Sequence, residues 1–469
     1  MLLPSAGALA LVAIAACQTP VPPMPVAAPP ALKPSHMDIA ISMPLASLAA
    51  ALDGHVPSKH AVEPYEFPVN GGAAPPACGI DGGFSLARGP FDATGAGNVI
   101  TTTVQLGYRL QGRKRIPCEG EFVAASCGVD PESPRYAELS VDTAISILPD
   151  FSAGFRSSLN SVTPQNRCLL NPFGVDVTDA LVAGLRDRVP PVLAKLDERL
   201  AAELDLRTRM ELAWSRMGEP REVRPGIWLM LNPSGVDLAP VTITNDELHS
   251  GVRLHVQPVI TAGTKPESAA SPLPQAGSSA ESDRFELHVP VQVEESFVQE
   301  RLDKALEQQS GGVAVGNYKV RVKDATIDGQ GTQVIVKLKF EGDVNGTAFL
   351  RGTPHYDRAT RTLSFPDLDY TLDTDRMLLD SASKVMQGQI RERLRARLTF
   401  ELAKPIENMR QSLERGLNQT RGHLRLEGHV DELRPIGVYR LRDSDVFTAY
   451  LTVKGSLRAF VEPGDAPAK

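Results

Sequence analysis

Residues 377–417 read MLLDSASKVMQGQIRERLRARLTFELAKPIENMRQSLERGL, and this stretch decides the fold. Ile390, Leu394, Leu398, Leu402, Ile406, Met409, Leu413 and Leu417 recur every three or four residues. That spacing lines one face of an α-helix. Arg391, Glu392, Arg393, Arg395, Arg397 and Glu407 fill other positions, so the helix carries one apolar stripe and one solvated side. Pro405 has no backbone donor and marks a kink or break near Ala403. The flanking segments alternate in polarity and read as strands, so a sheet is the natural cover for the stripe.

The same stripe occurs earlier in the chain. Leu181, Leu185, Val189, Leu193, Leu196, Leu200 and Leu204 repeat the spacing in a helix expected over about 178–206, with Pro190-Pro191 as its kink. Other parts repeat as well. Ile39, Ile41 and Met43 alternate up to Pro44 and lead into a short helical piece with Leu48 and Leu52. Phe285, Leu287, Val289 and Val291 alternate around Pro290 and lead into Phe297, Val298, Leu302 and Leu306. Strands are expected over 99–110 and 138–148 in the first half. Their counterparts are expected over 318–322, 333–340, 346–351 and 363–372. Further strands follow each long helix. Internal similarity of this kind marks a repeated unit. The order lacks the regular strand–helix alternation of a doubly wound fold, so the expected class is α+β with two pseudo-repeated modules, each a sheet and one long kinked helix. The modules span 37–263 and 284–462. The polar segment 264–283, TKPESAASPLPQAGSSAESD, is the expected linker, and 463–469 the expected disordered tail.

At 469 residues the chain exceeds one ordinary core, and 42% hydrophobic with 22% charged residues is a globular balance. A net charge of −7 lacks the basic footprint of a nucleic-acid binder. Met1 to Ala16 is apolar and small, too short for a bilayer span but suited to a signal peptide. It ends Ile14-Ala15-Ala16-Cys17, which resembles the lipobox of bacterial lipoproteins. That resemblance implies acylation at Cys17 after removal of 1–16, and an Asp after the Cys would favour inner-membrane retention. Gln18 stands there, so the expected place is the periplasmic face of the outer membrane, lipid-anchored. The Pro/Ala-rich residues 18–36 then form an extended tether. Cys78, Cys118, Cys127 and Cys168 remain, and in an exported chain they are candidates for two disulfides in any of three pairings.

The layout resembles the bacterial domain-of-unknown-function family 4403, most closely from Leu212-Ala213-Trp214 to Pro220, at Ile227-Trp228-Leu229, and from Asn232-Pro233 to Lys265-Pro266. The architecture in turn is similar to the tubular lipid-binding superfamily, which includes the bactericidal permeability-increasing proteins. That resemblance implies a curved antiparallel β-sheet wrapped around each long helix, with lipid tails in the groove between them. It is topological, with no shared motif, so function comes from it only by analogy.

Catalytic motifs are missing from the sequence. The nine His form no HExxH or other tight ligand pair, and there is no GxSxG, Walker loop or GxGxxG. Asp373 and Asp375 read as acids at a helix start, and Asp367 and Asp369 as a solvated strand face. The arginines of the second helix read as a solvated face paired with its glutamates. The expectation is therefore a non-catalytic protein without cofactor or metal. It is a membrane-anchored lipoprotein that binds a lipid, a fatty acid or another long apolar ligand. Leu185, Val189, Leu193, Leu196, Ile390, Leu394, Leu398 and Leu402 are the expected lining. The alternative is a structural or envelope-assembly lipoprotein whose stripes are fully covered and which has no ligand pocket.

Overall fold

The computed structural model describes residues 29–62, 66–67, 80–115, 122–268, 271–307, 313–315, 318–330, 332–374, 391–392, 394–396, 398–440 and 444–462. The chain opens with β1 (Ser35–Pro44) and α1 (Leu45–His55). Two short strands, β2 (Lys59–Val62) and β3 (Glu66–Phe67), precede the long antiparallel run β4 (Ile80–Ala96), β5 (Val99–Arg115), β6 (Phe122–Cys127), β7 (Arg135–Ile147) and β8 (Ala153–Pro164). The hairpin β9 (Leu169–Leu170) and β10 (Val175–Asp176) leads into α2 (Thr178–Leu204) and α3 (Leu206–Met217). Then come β11 (Arg221–Arg224), β12 (Ile227–Met230), β13 (Pro233–Thr244), β14 (Glu247–Val256), β15 (Val259–Ala262) and β16 (Gly277–Ser278). The second half holds β17 (Arg284–Glu294), α4 (Glu295–Glu307), β18 (Val313–Val315), β19 (Tyr318–Gln330), β20 (Gln333–Gly342) and β21 (Gly346–Gly352). It continues with β22 (His355–Asp357), β23 (Thr362–Ser364), β24 (Asp369–Thr374), β25 (Phe400–Glu401), α5 (Ala403–Leu417), β26 (Gln419–Arg421), β27 (Leu424–Arg440) and β28 (Val446–Val461).

An eleven-stranded sheet holds the centre. β1 pairs along its whole length with β14, from Ser35–Val256 to Pro44–Glu247. β17 pairs likewise with β28, from Arg284–Ser456 to Glu294–Val446. β1 also touches both β17 and β28, so strands from the two ends of the chain meet in one ladder. Within it Asp38 is 3% exposed and takes both oxygens to Arg253, its cross-strand neighbour, at 2.7 Å each. Burial alone raises the Asp38 carboxyl, but hydrogen bonds from Arg253 and Ser282 and the nearby positive charge outweigh it and hold it below the usual range. One sealed cluster, Phe285, Val289, Val430, Leu451, Val453 and Leu457, lies on β17, β27 and β28. Another joins Trp214 of α3 to Phe151, Val236, Leu254 and Val256. Leu273 and Ala276 pack on that second cluster, and Ser271 O accepts from Trp214 Nε1 at 3.0 Å, so the residues 271–276 of the expected linker are tied to the core.

The expected fold class is corrected. Strand outweighs helix, 55% against 22%, in several sheets. The described elements do not form two helix-wrapped sheet modules of an α+β protein, because β1 and β17, expected to open separate modules, share one sheet. The long C-terminal helix is likewise broken. Leu398 N still bonds to Leu394 O, but β25 then runs extended and pairs with β23 before α5 begins at Ala403. Pro405 is the cause. In mid-helix its ring would meet the carbonyl four residues back, whereas in the first turn of α5 its missing N–H leaves no hydrogen bond unmade. Pro190 and Pro191, by contrast, sit inside a continuous α2.

Candidate functional site

The candidate site is the apolar face of the seven-stranded sheet whose main path is β2-β4-β5-β7-β8, together with α2, which packs along β8. Residues opposite one another in an antiparallel ladder share a face. Phe91 lies opposite Val104 and Val104 opposite Leu139; Leu139 faces Val162, Val141 faces Leu159, and Ile145 faces Phe155. These side chains make one apolar face across four strands. The other face is polar. There Thr101 Oγ1 donates to Asp142 at 2.7 Å, and Gln105 Nε2 donates to Gln165 at 2.8 Å.

One end of the apolar face is sealed. Leu45 and Ala49 of α1, with Ala93, Ile100 and Ile243, form a buried cluster where this sheet meets the central one. Asp53 of α1 also caps the bulge in β4, accepting from Phe91 N at 3.1 Å and Arg88 Nη1 at 2.7 Å. Further out, Leu139, Val141, Phe155 and Leu159 are only half-buried.

Beside this face lies α2, packed against the edge strand β8. It is fixed along the free edge of β8 by Asp197, which accepts from Ser157 N at 2.7 Å and from Ser157 Oγ at 2.6 Å. One carboxylate thus satisfies an edge donor that would otherwise invite another strand. The helix start is held by Thr178, whose Oγ1 accepts from Cys168 N at 2.8 Å and donates to Asp176. The Thr178 hydroxyl and backbone N–H keep the Asp176 carboxyl below its ordinary range. Over its 27 residues α2 buries only Thr178. Leu185, Val189 and Leu193 are half-buried, and Leu196, Leu200 and Leu204 are 44%, 37% and 43% exposed. At 1.5 Å per residue the wall is about 40 Å long. That exceeds the ~30 Å hydrocarbon core of a bilayer.

The first four expected lining residues, Leu185, Val189, Leu193 and Leu196, therefore meet in this wall. The other four do not assemble in the same way. Ile390 lies outside the described residues. Leu394 and Leu398 are half-buried on a helical turn that Arg391 and Arg395 dock to Asp369 Oδ1 and Leu368 O, and half-buried Leu402 precedes α5. The sheet β18–β21 with β24 has its own apolar face, with Ile327 opposite Val336 and Leu338 opposite Ala348. Gln299 of α4 bonds the free edge of β19, donating to Ala325 O and accepting from Ile327 N.

Sequence reasoning missed Asp197 and Gln299. The available signal was a polar residue lodged beside each helix's apolar stripe. It also misread Asp367 and Asp369, which are 5% and 7% exposed. Asp367 accepts from Thr353 N at 2.6 Å and Thr353 Oγ1 at 2.8 Å. Cys127 pairs with Cys168, both fully buried, while Cys17, Cys78 and Cys118 lie outside the described residues. A separate cleft of about 530 Å³ lies between α4 and the turn at Pro225-Gly226. Its charges are already engaged, Glu300 with Lys304 and Glu294 with Thr264, so it is a polar seam that does not suit an apolar chain. Among the described residues no helix is long and apolar enough to cross a membrane, and no group of three or more His, Cys, Asp or Glu is placed to hold a metal ion.

A family model described as "Domain of unknown function (DUF4403)" matches residues 33–461. No curated protein matches. Of solved structures, the crystal structure of lipopolysaccharide binding protein aligns at 10% identity over 91% of this chain and 99% of that one, with a TM-score of 0.30. The structure of P47 from Clostridium botulinum A2 aligns at 8% identity over 88% and 96%, with a TM-score of 0.21. Likenesses this slight carry no weight for function, which rests on the trough.

Proposed function

The chain belongs to the DUF4403 family, and from that premise we propose that it is a non-catalytic binding protein that holds a lipid or another long apolar ligand in the trough between α2 and the inner face of β4, β5, β7 and β8. One observation carries the reading: a 27-residue helix with a regular leucine stripe buries no apolar side chain. Left in water, such a stripe forfeits roughly 25 cal/mol for each Å² of apolar surface that a ligand would cover. The floor opposite is apolar and half-open too, and a site for a chain-like ligand is apolar with few polar groups. The lipobox-like Ile14-Ala15-Ala16-Cys17 and the Pro/Ala-rich residues that follow it, up to β1 at Ser35, support a place on the periplasmic face of the outer membrane.

The test is native mass spectrometry of the full chain from mild detergent, followed by uptake of a fluorescent fatty acid. Lipid-mass adducts and saturable uptake are expected, with uptake lost in Leu193→Asp. Absence of both adduct and uptake in the parent chain overturns the reading. The alternative, an envelope-assembly protein without a ligand, draws on the eleven-stranded sheet, whose clusters are sealed.

A further inference from the structure

The polar face of the seven-stranded sheet differs from an ordinary solvated face in its chemistry. On the five-stranded sheet the corresponding face carries mixed charge, with Asp324 opposite Lys339 and with Lys337 and Asp328 beside them. The row on β7 from Tyr136 to Asp142 is built otherwise. Its neighbours across the ladder are Gly107, Gln105, Thr103 and Thr101 on β5, and Thr163, Ser161 and Ser158 on β8. The row and these neighbours carry two charged side chains, Glu138 and Asp142, both acidic. A register shift in β8 adds Asn160 to the same face, where its Nδ2 lies 3.3 Å from Asp142 Oδ1 and 3.5 Å from Ser140 Oγ. Bulges re-aim side chains in this way beside functional sites.

Tyr136 stands at one end of the row, 37% exposed. Its backbone is fixed on both sides: the carbonyl accepts from Gln165 N at 2.8 Å, and the N–H donates to Asn166 Oδ1 at 3.1 Å. The ring rests on Gly107, the residue opposite, where a Cβ would come within 3.2 Å of Tyr136 Cε1. A glycine inside a strand marks such a close approach. Beside the ring, Gln105 and Gln165 are joined by a 2.8 Å amide hydrogen bond. That pairing leaves the two amides one carbonyl oxygen and one NH₂ group to offer. Glu138, opposite Gln105, is exposed and adds a carboxylate.

An aromatic ring beside an amide pair and a carboxylate is complementary to a pyranose. The C–H face of the sugar stacks on the ring, and neighbouring hydroxyls donate to the carboxylate and bridge the amides. Other occupants suit the row less well. Two acids without a cation repel phosphate, which disfavours nucleic acid and an anionic bilayer. A protein interface is organised around several buried apolar anchors, and here there is one ring among hydroxyls and amides. From Tyr136 to Asp142 the row is about 20 Å long at strand rise, room for a short oligosaccharide. We infer that the outer face of β5, β7 and β8 binds a neutral glycan chain, with Tyr136 as the stacking platform and Gln105, Glu138 and Gln165 holding hydroxyls. This surface lies on the opposite side of the sheet from the apolar face, so glycan binding and lipid uptake fail independently.

The test is calorimetric titration of the full chain with four neutral oligosaccharides: chitohexaose, cellohexaose, maltoheptaose and mannohexaose. Saturable binding of at least one is expected. Tyr136→Ala should weaken it about tenfold, while Tyr136→Phe, which keeps the ring, should stay within about threefold. Gln105→Ala with Gln165→Ala, both on the exposed surface, should weaken it about fivefold. Urea midpoints of the variants and their fatty-acid uptake are expected to match the parent. Absence of binding to all four sugars overturns the proposal. So does binding that Tyr136→Ala and the double glutamine variant both leave unchanged, which places the sugar elsewhere. Tighter binding of polysialic acid or heparin than of any neutral chain overturns the assignment to a neutral glycan.

Discussion

Replacing Leu196, Leu200 and Leu204 together by alanine separates an open trough from a sealed core. In a packed interior each Leu→Ala change costs about 3–5 kcal/mol, because a cavity term adds to the lost transfer energy. Three would cost about 9–15 kcal/mol, as much as the whole stability of a typical domain. Here the three side chains are 37–44% exposed. Burial of a whole leucine contributes about 2 kcal/mol, so truncation at a site roughly six-tenths buried forfeits about 1 kcal/mol. No cavity term applies where the space already opens to solvent, and Leu and Ala have similar helix propensities. The triple variant should therefore lose about 3 kcal/mol and remain folded. The same changes remove much of one apolar wall, so fatty-acid uptake should weaken at least tenfold. Urea titration of the full chain followed by circular dichroism gives the first quantity, and fluorescent fatty-acid binding gives the second. A triple variant that fails to fold, or that loses 8 kcal/mol or more, shows that the stripe is sealed and refutes the reasoning. So does an unchanged uptake.

Two further outcomes follow from the rest of the structure. Cys127 and Cys168 are separated by 41 residues, so Cys127→Ser with Cys168→Ser should cost about 4 kcal/mol by the chain-entropy relation; an unchanged urea midpoint refutes this. His288 is held below its ordinary value of 6.5 first by burial and then by the positive charges of Lys33, Lys454 and His36, with Glu286 opposing. Its unfolded state binds the proton more readily, so its contribution to stability is complete above pH 6.5 and is lost as pH falls. His288→Gln should flatten the decline in stability as pH falls below about 6.5, read as urea midpoints against pH; a parallel decline in both proteins refutes it.

The sequence showed the local elements because their signals are local. Leucines every three or four residues from Leu181 to Leu204 suffice for α2, and alternation suffices for β5, β7, β19 and β20. Assembly was not legible for a reason equally physical. Alternation says that a strand has one covered face, yet it names no partner, so β1 might have paired with any strand of matching polarity. It pairs with β14, more than 200 positions on, as in Ser35–Val256. The modular reading failed at this point. Two strand-then-helix units were visible, but nothing local said that β1 and β17 would share a sheet. Alternation also misled at Asp367 and Asp369, because it marks the face opposite the apolar one and takes that face to be wet. Thr353 and Arg391 cover these carboxylates instead.

The trough shows the same limit from the other side. The stripe on α2 has the spacing of a core helix, and a sequence that needs a ligand to complete its cover looks like one that does not. Only the facing surface separates the two cases. Asp197 settles the geometry here, since its hold on Ser157 sets α2 along the edge of β8. A helix at the edge covers a sheet from one flank, and the span from β4 to β8 is too wide for one flank to close. Half-exposure of Leu196, Leu200 and Leu204 is then a consequence of where the helix is pinned. Asp197→Ala should therefore act on the trough by letting the wall shift: ligand uptake should change by more than the loss of two exposed-edge hydrogen bonds, about 1–3 kcal/mol of stability, would produce through unfolding alone.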